Sequence, residues 1–240
     1  MPRTVKAGEH AAKRKEILEA AQRLMFTKGY ERMSVQDVLD ALGISKGAFY
    51  HYFDSKAALL EASIEQGQDE LDAVLRGIVD DPALPAAEKL RRFFAALDRA
   101  RADLQVVVAG VAPVWFADEN AIVREKSDAV IVQRRAPLLN AIVRQGVSEG
   151  VFTTPYPDQA GVVILAITRG MGNALLQLIV GAAPARGEAQ AVAEIVAVSA
   201  ASAEAIERVL GAAEPILPRP EAAAVRGWLA ALSGAAERTG

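Results

Sequence analysis

Two short helical patterns joined by a glycine constrain this chain more than any other feature. In "MSVQDVLDALGISKGAFYHYF", Ser34 is a strong helix N-cap, Gly43 is a helix stop, and Ser45 can cap a second helix two residues later. Two short helices separated by a glycine-containing turn predict a helix-turn-helix motif over residues 34–53. The apolar side chains of the first helix recur at three- and four-residue spacing: Val35, Val38, Leu39 and Leu42.

The second helix of the motif has two contrasting faces. Phe49, Tyr52 and Phe53 fall at positions i, i+3 and i+4, so they share one face, which we expect to pack in the core. Because this face already supplies the core, we interpret the opposite face as a binding surface. It holds a lysine, a glycine, a phenol and an imidazole: Lys46, Gly47, Tyr50 and His51.

The rest of the chain predicts an all-α protein. Apolar residues make up 52% of the 240 residues and charged residues 24%, and most of the 11 prolines fall between periodic segments. A long helix begins at a cap, Asp54 or Ser55, and ends near Val79, a length of roughly 36 Å. Pro113 is expected to kink or break its helix. The other predicted helices cover residues 11–28, 90–97, 103–116, 119–149, 158–182, 188–212 and 220–236.

The charge is unevenly distributed along the chain. Residues 1–60 carry ten Lys/Arg and seven Asp/Glu (10 − 7 = +3), and the remainder carry 17 and 23 (17 − 23 = −6), which together give the net charge of −3. A basic N-terminal segment on an acidic body indicates contact with a polyanion. A chance distribution is the alternative on charge alone.

Several classes of function and location are disfavoured. The absence of cysteine excludes disulfides and cysteine-ligated metals, and His10 and His51 are about forty residues apart, so no metal or cofactor is expected. No motif of an enzyme built on a helical bundle is present. The N-terminus lacks an apolar signal region, and the apolar run 160–183 contains Arg169. We therefore expect a buried helix rather than a membrane span, and a cytoplasmic protein.

Residues 17–62, "ILEAAQRLMFTKGYERMSVQDVLDALGISKGAFYHYFDSKAALLEA", closely resemble the DNA-binding domain of the tetracycline-repressor (TetR) family. The resemblance implies a homodimeric transcription factor, usually a repressor. It implies a basic arm (1–10), a three-helix DNA-binding domain (11–60), and a helical ligand-binding and dimerisation domain (61–240) joined to it by the long helix. Ala48 stands where many relatives carry Thr or Ser, so a hydroxyl contact to DNA is lost there.

The second helix of the motif is expected to lie in the major groove. Lys46 has the reach for a guanine or a phosphate, Gly47 lets the backbone approach the duplex, and Tyr50 offers its ring to a thymine methyl or its hydroxyl to a phosphate. Ser34 and Lys56 each lie at a helix N-terminus, where the free N–H groups and the helix dipole favour binding of a phosphate. The predicted DNA-binding residues are Ser34, Ser45, Lys46, Gly47, Tyr50, His51 and Lys56.

The body of the chain holds candidate effector and dimer residues. Arg169 and Asn173, four apart on an apolar helix, orient a ligand or face a partner subunit. Ala166, Gly170 and Ala174 form a small-residue seam that predicts close approach of a second subunit, with intramolecular packing as the alternative. The clustered aromatic residues indicate an apolar or aromatic ligand, although core packing explains any one of them. The predicted ligand-binding residues are Phe93, Phe94, Trp115, Phe116, Arg169 and Asn173.

Together these patterns favour a ligand-responsive, sequence-specific DNA-binding regulator. The leading hypothesis is a repressor that leaves a palindromic operator when an apolar or aromatic small molecule binds. The alternatives are a helix-turn-helix regulator controlled by a protein partner, and an activator. The long helix is expected to carry the signal, since it begins at Lys56 beside the DNA-reading head and ends in the body.

Overall fold

The computed structural model describes residues 3–100, 120–181 and 187–237, which form helices joined by turns, with no strand among them. The predicted all-α architecture is confirmed. The helix predicted over 103–116, with Pro113, lies outside the described residues. The helices are α1 (Arg3–Lys28), α2 (Val35–Leu42), α3 (Lys46–Tyr50), α4 (Lys56–Asp80), α5 (residues 86–100 as far as described), α6 (Ala121–Ser148), α7 (Ala160–Gly181), α8 (Glu188–Leu210) and α9 (Ala222–Glu237).

The ends of α2 are set by a polar cap and a left-handed glycine. The Ser34 hydroxyl oxygen accepts the Asp37 N–H at 3.2 Å while the Asp37 carboxylate accepts the Ser34 N–H at 2.7 Å, which is a capping box. Gly43 ends the helix at φ 62°, and the N–H groups of Gly43 and Ile44 both donate to the Leu39 carbonyl. The predicted start and stop of α2 are confirmed.

Serine caps also begin α3 and α4. The hydroxyl oxygens of Ser45 and Ser55 each accept the backbone N–H three residues later, at 3.2 and 3.0 Å. Ser55, rather than Asp54, is therefore the cap of α4. The predicted start of α1 was wrong: the helix begins at Arg3 instead of residue 11. Half of residues 3–10 are good helix formers (Arg3, Lys6, Ala7 and Glu9) and none is proline, so no strong breaker stops the helix there.

The described residues form two compact units. The first contains residues 3–70 and 120–130, and the second contains residues 71–100, 131–181 and 187–237. Helices α4 and α6 each contribute residues to both units. The first unit thus reaches further along α4 than the predicted boundary at residue 60, and it takes in the start of α6.

The core of the first unit is built from α1, the helix-turn-helix, α4 and the start of α6. Phe49 is fully buried and Phe53 is 4% exposed, as the spacing of the aromatic residues predicted. The other large buried side chains of this core are Ile17, Leu18, Met33, Val38, Leu39, Leu59, Leu60, Ile64 and Val123.

The second unit has a larger apolar core and a buried ionic cluster around Asp72. Asp72 on α4 is fully buried, and its Oδ1 accepts a hydrogen bond from Arg135 Nε on α6 at 2.9 Å. Arg134 Nε lies 2.9 Å from Oδ2 but is not aligned as a hydrogen bond, so it acts on that oxygen by charge. The apolar core around this cluster includes Leu75, Leu90, Phe93, Leu139, Ile142, Val143, Phe152, Ile164, Ile206 and Leu210.

The apolar helix α7 is only half covered, in contrast to the predicted buried helix. Ile164 and Leu165 face the core, whereas Val162 is 50% exposed and Val163 is 43% exposed. Among the described residues, α8 alone is long and apolar enough to cross a membrane, which is weak evidence because core helices of soluble proteins pass the same test. One face of α8 packs in the core of the second unit.

Candidate nucleic-acid interface

The outer face of α3 is exposed, as predicted. We define this face as Lys46, Gly47, Tyr50 and His51, all of which are exposed, with 43% of Tyr50 accessible. The Phe49 ring lies beneath and meets the Tyr50 ring edge-on, with the ring centroids 5.4 Å apart. Phe49 thus packs against one side of the Tyr50 ring, while Tyr50 as a whole stays 43% accessible.

Lys46 and Gly47 leave room for a duplex at the start of α3. Lys46 Nζ is 6.0 Å from the centroid of the Tyr50 ring, so the two side chains form one patch with a positive charge beside an aromatic surface. A Cβ built on Gly47 would meet only the Ser45 hydroxyl, at 4.0 Å. The backbone at this position is therefore accessible to a close-approaching partner.

His51 belongs to an aromatic cluster that sequence spacing did not predict. Its ring centroid is 5.4 Å from that of His10 on α1 and 5.2 Å from that of Tyr52, and the His10 and Tyr52 centroids are 4.6 Å apart. The two histidines are therefore close in space although they are about forty residues apart in the sequence. In the described part of the chain, no group of three or more side chains suited to a metal ion occurs.

Ser34 is already engaged with its own helix. Its hydroxyl donates to Asp37 Oδ2 at 2.8 Å, and its N–H donates to the same carboxylate. A hydrogen bond from Lys28 Nζ, 2.6 Å from Asp37 Oδ1, together with the bonds from Ser34, lowers the pKa of Asp37 to about 2. The carboxylate is therefore ionised at neutral pH, and it occupies groups that a phosphate would otherwise use. The phosphate contact of Ser34 stays a prediction.

Lys56 is held at the turn between α1 and α2. Its Nζ donates to the Glu31 carbonyl at 3.3 Å and lies 4.2 Å from the centroid of the Tyr30 ring. Burial raises the pKa of the Tyr30 hydroxyl, and the neighbouring carboxylate of Glu31 raises it further. The phenol is therefore neutral at physiological pH, and the ammonium lies against its ring. An ammonium has three donors, so Lys56 keeps donors for a phosphate.

The predicted effector residues fall into different environments. Phe93 and Phe94 are buried in the core of the second unit, with ring centroids 6.2 Å apart. Trp115 and Phe116 lie outside the described residues.

The polar pair of the predicted effector set is not brought into the core with the phenylalanines. Arg169 and Asn173 are exposed on α7, on the side that also carries Ala166 and Gly170. Ala174, the third residue of the predicted small-residue seam, is half-buried.

Comparison with known proteins supplies the family. Residues 17–63 match the domain described as "Bacterial regulatory proteins, tetR family". The chain is 30% identical over 158 residues to the HTH-type transcriptional regulator YfiR of Bacillus subtilis (strain 168). The aligned region covers 62% of this chain and 73% of YfiR. This chain belongs to the TetR family. TetR-family proteins are transcriptional regulators and not enzymes, and this member is a DNA-binding regulator.

Two further proteins are similar to this chain. The chain is 23% identical over 157 residues to the HTH-type transcriptional repressor DhaR of Mycobacterium sp. (strain GP1), covering 65% of this chain and 79% of DhaR. The crystal structure of E. coli NemR in its reduced form superposes with a TM-score of 0.53 at 18% identity, over 84% of this chain and 98% of NemR. At that identity the likeness to NemR shows the fold alone.

Proposed function

We propose that this protein is a homodimeric repressor that reads a palindromic operator with the outer face of α3 and leaves the operator when an apolar small molecule binds. The observation that carries the proposal is the exposed face of α3, where a lysine, an open glycine backbone and a tyrosine lie together over a buried phenylalanine. Helix-turn-helix proteins place this helix in the major groove and contact base edges from its N-terminal residues. Operator binding by a Lys46→Ala/Tyr50→Ala variant tests the proposal.

The exposed side of α7 and α8 supports a second copy of the chain as the dimer partner. Between these helices lies an open groove of about 370 Å³ lined by Ile167, Gly170, Met171, Val198, Ala201, Ser202 and Ala205. Its walls are small and mostly apolar, and the exposed Val162 extends the apolar surface along α7. A two-fold interface uses the same surface patch on both subunits, so the groove of one copy would face the groove of the other. The exposure of Arg169 and Asn173 favours the partner subunit over the ligand as their neighbour.

Gly170→Leu is expected to convert the dimer to a monomer. A Cβ at Gly170 meets no atom within 4 Å inside the protomer, so leucine fits the isolated chain and obstructs only a partner that packs closely against α7. Sedimentation velocity measures the mass. The matched control is Gly172→Leu, since this position on the same helix is also open within the protomer. A dimer that survives Gly170→Leu would place the interface elsewhere, and a monomer is expected to lose operator binding.

The proposed effector site is the aromatic set of the body, Phe93, Phe94, Trp115 and Phe116. Apolar pockets with few polar groups suit apolar ligands. The buried Phe93–Phe94 pair supports this chemistry, since it supplies aromatic surface within the body. A ligand shifts the protein away from DNA only if it binds the DNA-competent and incompetent arrangements unequally. A coupling of about 1–3 kcal/mol is enough for strong release.

The two tryptophans provide a direct assay for this site. In a Trp228→Phe variant, where Trp115 is the sole tryptophan, fluorescence is expected to change when a panel of apolar aromatic compounds is titrated. In a Trp115→Phe variant, where only Trp228 remains, the signal is expected to be silent, because Trp228 packs in α9 against α8. Trp115→Ala is expected to keep DNA binding and lose release. A compound that releases DNA from Trp115→Ala as well as from wild type would rule out this site.

Control by a protein partner and activation are the remaining alternatives. A purified chain that is released from operator DNA by a small molecule alone favours the proposed mechanism over a protein partner. A reporter gene placed behind the operator distinguishes a repressor from an activator: a repressor lowers reporter expression, and an activator raises it.

A further inference from the structure

Asn120 makes a buried hydrogen bond to the turn that precedes the helix-turn-helix. Its Oδ1 accepts the backbone N–H of Tyr30 at 2.8 Å, and its side chain is 2% exposed. The two residues are 90 positions apart, so the bond is a tertiary contact rather than a local turn. An N–H buried at this site without an acceptor would be costly, so the bond fixes where Tyr30 lies.

Tyr30 follows the glycine that ends α1, and its backbone N–H is bonded to a residue outside that helix. Gly29 before it takes a left-handed conformation at φ 83° and donates its N–H to the Met25 carbonyl, which ends α1. In a Schellman motif, the N–H of the residue after the glycine would also donate to a carbonyl of the helix. Here the N–H of Tyr30 goes to Asn120 instead. Asn120, the residue directly before α6, thus supplies the acceptor at the end of α1.

The ring of Tyr30 in turn supports Lys56. The ammonium lies 4.2 Å from the ring centroid and donates to the carbonyl of Glu31, the residue after Tyr30. Lys56 therefore contacts both Tyr30, whose backbone N–H Asn120 accepts, and the residue that follows it. If Tyr30 moved, the ammonium would lose its platform and its acceptor together.

The start of α6 is firmly part of this unit. Val123, one turn after Asn120, is 4% exposed in the core of the first unit, and Lys126 Nζ is 2.5 Å from Glu61 Oε1 on α4. The hydrogen bond to Glu61 is the main cause that raises the pKa of Lys126. These contacts of α6 hold the preceding residue, Asn120, against the turn.

We propose that Asn120 is a positioning residue for DNA binding: it fixes Tyr30, and Tyr30 holds Lys56 in place for an operator phosphate. The inference rests on the proposed function, because it takes Lys56 as a phosphate contact. It adds a residue from outside the helix-turn-helix segment to the DNA-binding apparatus. Asn120 itself does not touch DNA.

The first test measures the hydrogen bond itself. Amide hydrogen exchange at Tyr30 in the full chain is expected to be slow in wild type and at least tenfold faster in Asn120→Ala. Asn120→Asp keeps the accepting oxygen, so exchange is expected to return toward the wild-type rate. Asn140→Ala is the matched control, since Asn140 Oδ1 also accepts a backbone N–H, that of Gly161 at 2.7 Å, in the other unit. Unchanged exchange at Tyr30 in Asn120→Ala would overturn the proposal.

The second test measures the link to Lys56 through the salt dependence of DNA binding. Losing one phosphate contact from each head is expected to lower the slope of log K against log salt by about 1.8, at about 0.9 per phosphate. Lys56→Ala and Asn120→Ala are each expected to lower the slope by this amount, with base preference unchanged. The double variant is expected to match Lys56→Ala, because both remove the same contact.

A purely structural role for Asn120 gives a different pattern. The salt slope of Asn120→Ala would then equal that of wild type, or the two substitutions would add, and either result overturns the proposal. If Lys56→Ala left the slope unchanged, Lys56 would not be a phosphate contact and the inference would fall with it. The proposed function would stand as long as Lys46→Ala and Tyr50→Ala still weakened operator binding.

Discussion

Replacing Lys46 and Tyr50 together by alanine is expected to reduce operator binding to the level of non-specific DNA. Each lost base contact costs about 1–3 kcal/mol, and a dimer loses two contacts in each of two half-sites. The sum, about 4–12 kcal/mol, is as large as the whole gap of about 4–10 kcal/mol between specific and non-specific binding. Fluorescence anisotropy with operator and scrambled duplexes measures the loss. Folding is expected to be unaffected, because both side chains are exposed and the core beneath them is Phe49.

A matched control uses the same residue types elsewhere. Lys15 is exposed on α1 and pairs with Glu19 at 3.8 Å, and Tyr156 is 67% exposed in the second unit. The double variant Lys15→Ala/Tyr156→Ala removes the same charge and ring and is expected to keep operator preference. A folded Lys46→Ala/Tyr50→Ala dimer with wild-type operator affinity would mean that another surface reads the DNA.

Asp72→Ala is expected to be among the most destabilising single substitutions in the chain. Asp72 is fully buried between Arg134 and Arg135, and removing it leaves their charges without their buried acid. Breaking a buried ion pair from one side costs about 3–5 kcal/mol. Urea unfolding at a fixed protomer concentration measures the change, since the stability of the proposed dimer depends on concentration.

The comparison for this variant lies on the same helix. Asp80 is exposed at the end of α4, and Asp80→Ala is expected to change the free energy of unfolding by no more than about 0.5 kcal/mol. A loss below about 1 kcal/mol in Asp72→Ala would show that the arginines find other acceptors at little cost, contrary to a charge cluster that stabilises the second unit.

Local signals in the sequence predicted the helix-turn-helix well. The capping box at Ser34, the left-handed Gly43 and the cap at Ser45 each act within four residues, so neighbouring residue types are enough to predict them. The two faces of α3 followed from the spacing of its aromatic residues in the same way. For the start of α1 the sequence was ambiguous, because nothing among its first residues marks a boundary.

Long-range contacts escaped the sequence for a physical reason. Asn120 joins Tyr30 across 90 residues, and no local pattern indicates which distant N–H an asparagine accepts. The same holds for the approach of His10 to His51, which depends on how α1 packs against the end of α3. Of the predicted site residues, those on α3 could be placed from periodicity. Those of the body depended on tertiary packing and stay predictions.

The most direct test of the account is selection of DNA by the wild-type chain from a pool of random duplexes. A dimer with two α3 helices predicts an enriched inverted repeat, with half-site centres about one helical turn or a multiple of it apart. Hydroxyl-radical footprinting on the selected duplex is expected to show two protected patches related by the same two-fold symmetry. Enrichment of no sequence, or of a single site without a repeat, would contradict a dimer that reads DNA with the outer face of α3.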